Sequence, residues 1–262
     1  MNGVIVCVMC VLISFVVAFK PTRVRHTPTT THLAHTPKKI EVTIPTMVHL
    51  DIKLTKKLAK EFSFKTRKKL KNIVKAIIRD ASELFKHKHL NATVNFKLLD
   101  VKFFKNNRAV TMDENATNYL RNYCDWQTEK KKLKKELYYS VLLTGLDLFY
   151  IKNGKPVRGS TARSYSNGVC SLRKSCALLE WQSKNMGYLL AHEVGHSLGV
   201  PHDGYPFNNC NKFKGIMETQ YDPASISDTW SPCSRVSLEF FIRSKKAWCI
   251  KESNQQLEYK YV

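Results

Sequence analysis

Long apolar runs are scarce in this chain of 262 residues. Residues 4–19 form the one long run of apolar and small side chains, which is too short for a comfortable membrane span but suits the core of a signal peptide. We predict a signal peptide over residues 1–18, cleaved after Ala18, and no stable membrane insertion of the mature chain. Since no basic side chain precedes the run, an uncleaved anchor is the alternative.

Acidic residues are scarce as well. The chain has 21 Asp and Glu against 43 Lys and Arg, a formal net charge of +22, and the basic residues concentrate in residues 53–75 and 130–135. Each cluster alone could be a solvated helix face, but the total field attracts polyanions. Outside a cell, heparan-type glycosaminoglycans and acidic matrix proteins are the expected partners. No nucleic-acid recognition motif occurs, so nucleic acid is not predicted as a partner.

Cysteine is present mostly outside the predicted signal peptide, which contains Cys7 and Cys10. The other cysteines are Cys124, Cys170, Cys176, Cys210, Cys233 and Cys249. In an oxidising compartment six cysteines predict three disulfides, for which fifteen pairings exist. No two of these six form a C-x-x-C pair, which disfavours metal binding by cysteine. N-glycosylation sequons at Asn91 and Asn115 are consistent with secretion.

Apolar periodicity predicts an α/β fold over residues 40–252. A strand begins within residues 41–44, further strands cover residues 93–104 and 139–150, and a helix covers residues 118–133. A long amphipathic helix carries apolar residues at helical spacing, namely Leu70, Ile73, Val74, Ile77, Ile78, Ala81, Leu84 and Phe85. Strands that alternate with helices predict a mostly parallel sheet.

The most specific motif is H-E-x-x-H-x-x-G-x-x-H at residues 192–202. We predict a helix that begins near Asn185, on which His192 and His196 lie one turn apart and can aim their imidazoles at one zinc ion. Glu193 falls beside that face. Its carboxylate can therefore reach a zinc-bound water and take its proton, rather than bind the metal.

The second half of the motif supplies the turn and the third ligand. Gly199 can adopt the left-handed conformation that ends a helix, and Pro201 stiffens the segment that follows. His202 can then return to the ion as a third nitrogen ligand. Three protein ligands leave the fourth tetrahedral position for water, which is typical of catalytic rather than structural zinc.

Read on through Asp203, the motif resembles that of the adamalysin (reprolysin) branch of the metzincins. That branch includes snake-venom metalloproteases, the ADAM and ADAMTS proteases and secreted tick salivary metalloproteases. Asp203 directly after the third histidine marks it, and Met217 matches the methionine of its methionine-turn. Five further segments resemble ADAMTS-type catalytic domains: residues 123–127, 142–148, 168–176, 230–234 and 248–250.

The resemblance covers about residues 41–252 and implies a fold. It implies a metzincin-type domain with a mostly parallel twisted sheet, an active-site helix and a smaller C-terminal subdomain. It also implies a structural calcium held by Glu41 and Asp147, although Lys251 and Glu252 replace the usual C-terminal ligand. The implied disulfides are Cys124–Cys176, Cys170–Cys249 and Cys210–Cys233.

The function expected from this resemblance is that of a secreted zinc metalloendopeptidase acting on extracellular proteins, such as matrix or plasma proteins. Glu193 would act first as base and then as acid. The substrate would lie extended along an edge strand in residues 158–167, and residues 218–222 would form the wall of the S1′ pocket. The alternative is a basic glycosaminoglycan- or receptor-binding, toxin-like protein with little or no catalysis. An intact Glu193 argues against it, because a decoy could lose the base.

The flanking segments complete the predicted organisation. Residues 19–39 are rich in Thr, Pro and His and cannot build a core, so we interpret them as a linker or vestigial pro-segment. Without a cysteine or a folded prodomain, this segment offers no means of latency. Residues 253–262 are a polar tail. We therefore expect one catalytic domain without accessory domains, acting as a monomer.

Overall fold

The computed structural model describes residues 39–62, 66–106, 108–159, 162–211 and 213–251. The predicted signal peptide, the linker up to residue 38 and the polar tail at residues 253–262 lie outside these ranges. Within them, no helix combines the length and the apolar character needed to cross a membrane.

Seven strands form two sheets in the described residues. The strands are β1 (Ile40–Leu50), β2 (Ala92–Phe103), β3 (Tyr139–Thr144), β4 (Phe149–Lys152), β5 (Lys155–Arg158), β6 (Ala162–Ser164) and β7 (Cys176–Glu180). The main sheet has the order β2-β1-β3-β7-β6, and β4 pairs with β5 in a separate hairpin. In the main sheet the pairings β1–β2, β1–β3 and β3–β7 are parallel, and β6 runs antiparallel to its neighbour β7. The prediction of a mostly parallel α/β sheet is confirmed.

Helices cover both faces of the main sheet. They are α1 (Ile52–Phe62), α2 (Thr66–Leu84), α3 (Ala116–Lys134), α4 (Met186–Ser197), α5 (Pro232–Arg243), a 3-10 turn (Lys245–Ala247) and α6 (Trp248–Lys251). Successive side chains of β3 alternate between two cores, as the pleat of a strand requires. Val141 and Leu143 join the larger core with α2 and α4, whereas Leu142 joins the smaller core with α3. All six residues of β3 are buried, which is typical of a central parallel strand.

Two elements differ from the sequence prediction near the carboxyl end of β1. The strand predicted over residues 139–150 is interrupted, because β3 ends at Thr144 and β4 begins at Phe149. Gly145 lies against α1 so closely that a Cβ there would be 2.5 Å from the backbone nitrogen of Leu54. Helix α1 itself was not predicted. The carboxylate of Asp51, which accepts a hydrogen bond from the Leu54 amide at 2.7 Å, stabilises its first turn.

The chain after α4 forms the smaller C-terminal part of the fold. Residues 199–211 and 213–231 are irregular, and α5, the 3-10 turn and α6 follow. Trp230 is buried and donates from its indole nitrogen to the carbonyl of Leu84 at 2.8 Å. This contact joins the C-terminal part to the end of α2.

Candidate active site and metal centre

Helix α4 (Met186–Ser197) positions the first half of the motif. It begins after Asn185, as predicted, and it ends two residues before Gly199, which has the left-handed φ of +80°. A side chain at Gly199 would also clash, since its Cβ would come within 2.8 Å of the Asn167 amide oxygen and 2.9 Å of the Phe241 ring. Glycine is therefore required at this turn for both backbone and steric reasons.

The turn brings the three histidines of the motif together. The Nε2 atom of His202 lies 3.1 Å from that of His196 and 3.3 Å from that of His192. Three nitrogens bound tetrahedrally to zinc at its usual bond length are about 3.3 Å apart. Among the described residues, these three form the one cluster of His, Cys, Asp or Glu with metal-binding spacing. The donor set and its spacing fit a zinc ion.

The protonation of the histidines fits a cation as well. Nδ1 of His192 lies 2.7 Å from the carbonyl oxygen of Ile216, and Nδ1 of His196 lies 2.9 Å from that of Val200. A carbonyl only accepts, so each Nδ1 carries the proton and each Nε2 presents a lone pair. Burial lowers the pKa of His192 to about 3 and that of His196 to about 4, and it also lowers the pKa of His202. Neutral imidazoles with converging lone pairs are the form that binds a metal.

Glu193 lies beside the histidines, and the burial and pKa of its carboxyl group are those expected of a proton acceptor and donor. Its side chain is 4% exposed, and its Oε2 atom has no hydrogen-bond partner among the described residues. Burial raises the pKa of this carboxyl to about 7, although the Ser164 hydroxyl and the charge of Arg163 act in the opposite direction. A carboxyl that titrates near neutral pH can both take and return a proton.

Asp203 and Met217, which both follow the third ligand in sequence, support the site from below. Met217 is fully buried under α4, and a Cβ on Gly195 would come 2.8 Å from its sulfur. Asp203 donates its backbone N–H to the carbonyl of Met217 at 2.9 Å. The Asp203 carboxylate accepts hydrogen bonds from the hydroxyls of Ser231 and Ser234 at the start of α5. Asp203 therefore ties the ligand segment both to the methionine-turn and to the C-terminal helix.

The structure contains the three disulfides that the resemblance implies, Cys124–Cys176, Cys170–Cys249 and Cys210–Cys233. The first joins α3 to β7, and the second joins the segment before β7 to α6. The third closes the loop that carries Met217 and attaches it to the first turn of α5. All three lie around the strands and helices that hold the histidines.

An open cleft of about 840 Å³ gives access to the histidines and to Glu193. One side is β6, which is an edge strand within the predicted range of residues 158–167. The other side includes residues 218–221, four of the five residues predicted for the S1′ wall. Asp222 is not among the residues that line the cleft, and its carboxylate accepts a hydrogen bond from the Ala224 amide.

Several residues of the cleft lie outside the ranges predicted to line it, among them Tyr150 and Lys152 on β4 and Tyr188 on α4. Arg163 and Ser164 of β6 fall within the predicted residues 158–167, although a three-residue strand gives no periodic signal of its own. The Tyr188 hydroxyl donates to the carbonyl of Gly215 at 3.0 Å. Tyr188 precedes His192 by four residues on α4, so helical spacing would have placed it on the same face.

The structure does not bring the two predicted calcium ligands together. Glu41 is near the amino end of β1, whereas Asp147 follows the carboxyl end of β3, and β1 and β3 are parallel with Leu50 opposite Leu143. The nine residue-to-residue steps from Glu41 to Leu50 span about 30 Å of strand. Asp147 instead forms an ion pair with Arg158 at 3.1 Å. The prediction of a calcium site at this pair is wrong for this geometry.

Both predicted glycosylation sites lie at the surface. The Asn91 side chain is exposed and donates to a carboxylate oxygen of Glu239 at 2.7 Å. Asn115 is the N-cap of α3, where its side-chain oxygen accepts from the Thr117 and Asn118 amides. That cap uses the amide oxygen, so it leaves the amide nitrogen at which a glycan attaches.

Comparisons with known proteins agree with this site. The model of a family described as "Reprolysin (M12B) family zinc metalloprotease" matches residues 47–254. Similar proteins include human "A disintegrin and metalloproteinase with thrombospondin motifs 16", 28% identical over 84% of this chain and 18% of its own length. The mouse protein "A disintegrin and metalloproteinase with thrombospondin motifs 18" is 28% identical over 83% of this chain and 17% of its own length. The human protein "A disintegrin and metalloproteinase with thrombospondin motifs 13" is 31% identical over 54% of this chain and 10% of its own length. The chain thus spans less than a fifth of these relatives.

Proposed function

The chain belongs to the reprolysin (M12B) family of zinc metalloproteases, and from that premise we propose that it is a secreted endopeptidase that cleaves extracellular matrix or plasma proteins. One observation carries the proposal. The lone pairs of His192, His196 and His202 converge beside a buried carboxylate oxygen of Glu193 that has no partner in the described part of the chain, at the floor of an open cleft. A structural metal site would have no use for such a carboxylate or for such access.

The residues of the site have separate roles in the reaction. A zinc ion held by the three imidazoles would supply Lewis acidity toward a water molecule and the scissile carbonyl. Glu193 takes a proton from the attacking water at Oε2 and later gives that proton to the leaving amine. Its pKa of about 7 suits both directions of transfer near neutral pH.

Strand β6 is suited to hold the substrate. One edge of β6 pairs with β7, and its residues line the cleft along the other edge. An extended peptide can therefore add to the sheet through main-chain hydrogen bonds. The residues around the scissile bond would then lie between β6 and residues 218–221. Tyr188 and Tyr221, with ring centroids 6.0 Å apart, give this wall an aromatic surface.

Three disulfides support secretion, because they form and persist in oxidising compartments. The same argument supports extracellular proteins as the substrates.

The test compares the zinc-loaded chain with Glu193→Gln on gelatin, fibrinogen and a peptide library. We expect about one zinc per molecule in both proteins and a loss of about 10²- to 10⁴-fold in cleavage for the variant. The matched control is Glu129→Gln, which removes an exposed carboxylate on α3 and should leave cleavage unchanged. Equal cleavage by wild type and Glu193→Gln would contradict the assigned role. No cleavage by the zinc-loaded wild type would favour a binding protein on the same fold.

A further inference from the structure

A second groove lies at the edge of the sheet opposite to the cleft. It measures about 370 Å³ and is lined by Arg67, Lys71, Val101, Lys102, Phe103 and Lys105. The first turns of α2 form one wall, and the carboxyl end of β2 with the residues after it forms the other. Four of its six lining residues are therefore cations, and they come from two different elements.

The positive charge of this groove is little compensated. The first turn of α2 contains no acidic residue. Asp100 forms an ion pair with Lys71 at 3.7 Å, but both side chains are about half exposed, so the pair is weak. The guanidinium of Arg67 lies 5.7 Å from the centre of the Phe103 ring, and this contact orients it at the groove.

The groove lies within the most basic part of the chain. Residues 53–105 contain sixteen Lys or Arg and four Asp or Glu, so they carry +12 of the formal charge of +22. Most of these cations are exposed on α1, α2 and β2, including Lys68, Lys69 and Lys75. The potential around the groove is therefore positive over an area much larger than the groove itself.

We propose that this groove, with the exposed cations around it, is a binding site for sulfated glycosaminoglycan chains. A linear glycan with regularly spaced sulfates can place successive anions against cations on both walls, and guanidinium and ammonium groups bind such oxyanions strongly. The disulfides indicate an oxidising compartment, where sulfated glycans are the prevalent polyanions. Single-stranded nucleic acid would need exposed aromatic rings for stacking, but Phe103 is half-buried and contacts Arg67.

The site and the catalytic cleft can be occupied at the same time. Strands β2 and β6 are the two edges of the five-stranded sheet, and β1, β3 and β7 lie between them. Four interstrand steps correspond to about 19 Å. A glycan at β2 would thus hold the protein in the matrix while a protein substrate binds at β6.

The test measures the affinity of the full, zinc-loaded chain for a heparin decasaccharide at physiological ionic strength. The groove variant is Arg67→Gln with Lys102→Gln and Lys105→Gln. The matched control removes three exposed charges elsewhere, by Lys130→Gln with Lys132→Gln and Lys134→Gln near the end of α3. We expect the groove variant to lose at least about tenfold in affinity and the control less than about threefold, because each site cation releases a counterion on binding.

A second measurement needs no variant. Bound heparin should protect Lys102 and Lys105 of the wild type from acetylation, as read by mass spectrometry, while Lys130, Lys132 and Lys134 stay reactive. Equal losses in the two triple variants, or equal protection of both lysine sets, would overturn the proposal in favour of diffuse attraction. Equal binding of desulfated heparin, or tighter binding of single-stranded DNA, would overturn the assignment of a sulfated glycan. None of these readouts depends on proteolysis.

Discussion

The two edges of the main sheet are built differently. At one edge, which we call the catalytic edge, β6 has three residues and is surrounded by α4, the histidines and the segments that the three disulfides join. At the other, the basic edge, β2 has twelve residues and packs with α2, which in turn contacts α1. No disulfide joins described residues of the basic edge, and apolar contacts hold its helices.

The difference follows from what each edge has to do. Zinc binding and proton transfer require side chains that are held to within about half an ångström, and cross-links with buried hydrogen bonds supply that restraint. Attraction of a polyanion acts over roughly a Debye length of about 8 Å and tolerates movement of each cation. Long lysine side chains on stable helices are sufficient for it.

Metal removal should have the largest effect and should affect one edge only. With a chelator such as 1,10-phenanthroline, we expect peptide cleavage to fall by at least about 1,000-fold, since Lewis acidity at the carbonyl is lost. Heparin affinity, measured on the same sample, should not change. Zinc added in excess should restore cleavage. Cleavage that persists at saturating chelator would contradict the assignment of the histidines as metal ligands.

A cavity at the basic edge should lower stability without changing the metal site. Leu70 on α2 is 1% exposed and packs in the larger core. We expect Leu70→Ala to lower the free energy of unfolding by about 2–5 kcal/mol, because it leaves a cavity between α2 and the sheet. Leu133→Ala, at a residue that is 78% exposed, is the control and should change it by less than about 0.5 kcal/mol. Urea titration measures both, and zinc affinity of folded Leu70→Ala should equal that of the wild type.

Removal of a cross-link at the catalytic edge should affect both stability and the metal. Cys210 and Cys233 are separated by 23 residues, and this loop contains Met217. The double change to serine should cost about 3 kcal/mol, because the unfolded chain regains the entropy of the open loop. In contrast to Leu70→Ala, we also expect weaker zinc binding, measured by competition with a chelating dye. Unchanged zinc affinity would mean that the disulfide does not position the ligand segment.

The smallest effect should come from a buried lysine on the α3 side of the catalytic edge. Lys131 is 1% exposed and donates to the carbonyl and hydroxyl of Ser175. Burial lowers its pKa from 10.5 to about 7. Between these values the unfolded chain binds a proton that the folded chain does not, so folded stability rises with pH, by at most about 1.4 kcal/mol per pH unit.

Lys131→Met should remove this slope between about pH 7.5 and 9, as measured by urea unfolding at several pH values. The exposed neighbour Lys132 provides the control, since Lys132→Met should keep the slope of the wild type. A wild type without any slope would show that the Lys131 side chain keeps its proton through its bonds to Ser175.

Sequence patterns predicted those parts of the molecule in which local spacing decides the structure. The four-residue spacing of His192 and His196 placed both on one face of a helix, and Gly199 ended that helix as its missing side chain allows. Helix α3, strand β2 and the start of β1 were predicted to within a few residues because apolar periodicity marks them. The interruption at Gly145 was not predicted, because it depends on the approach of α1 to the end of β3.

The sequence by itself determined the donor atoms of the metal centre, the helix that carries two of them, and the excess of positive charge. Only the tertiary structure decided which distant groups meet. It separated Glu41 from Asp147, since parallel strands put those positions at opposite ends, and it joined Asp203 to Ser231 and Ser234. It also gathered Arg67, Lys102 and Lys105 into one groove. The physical reason is that ligand type and helical spacing are local properties, whereas a groove or a cation site exists only once strand order and helix packing bring remote residues together.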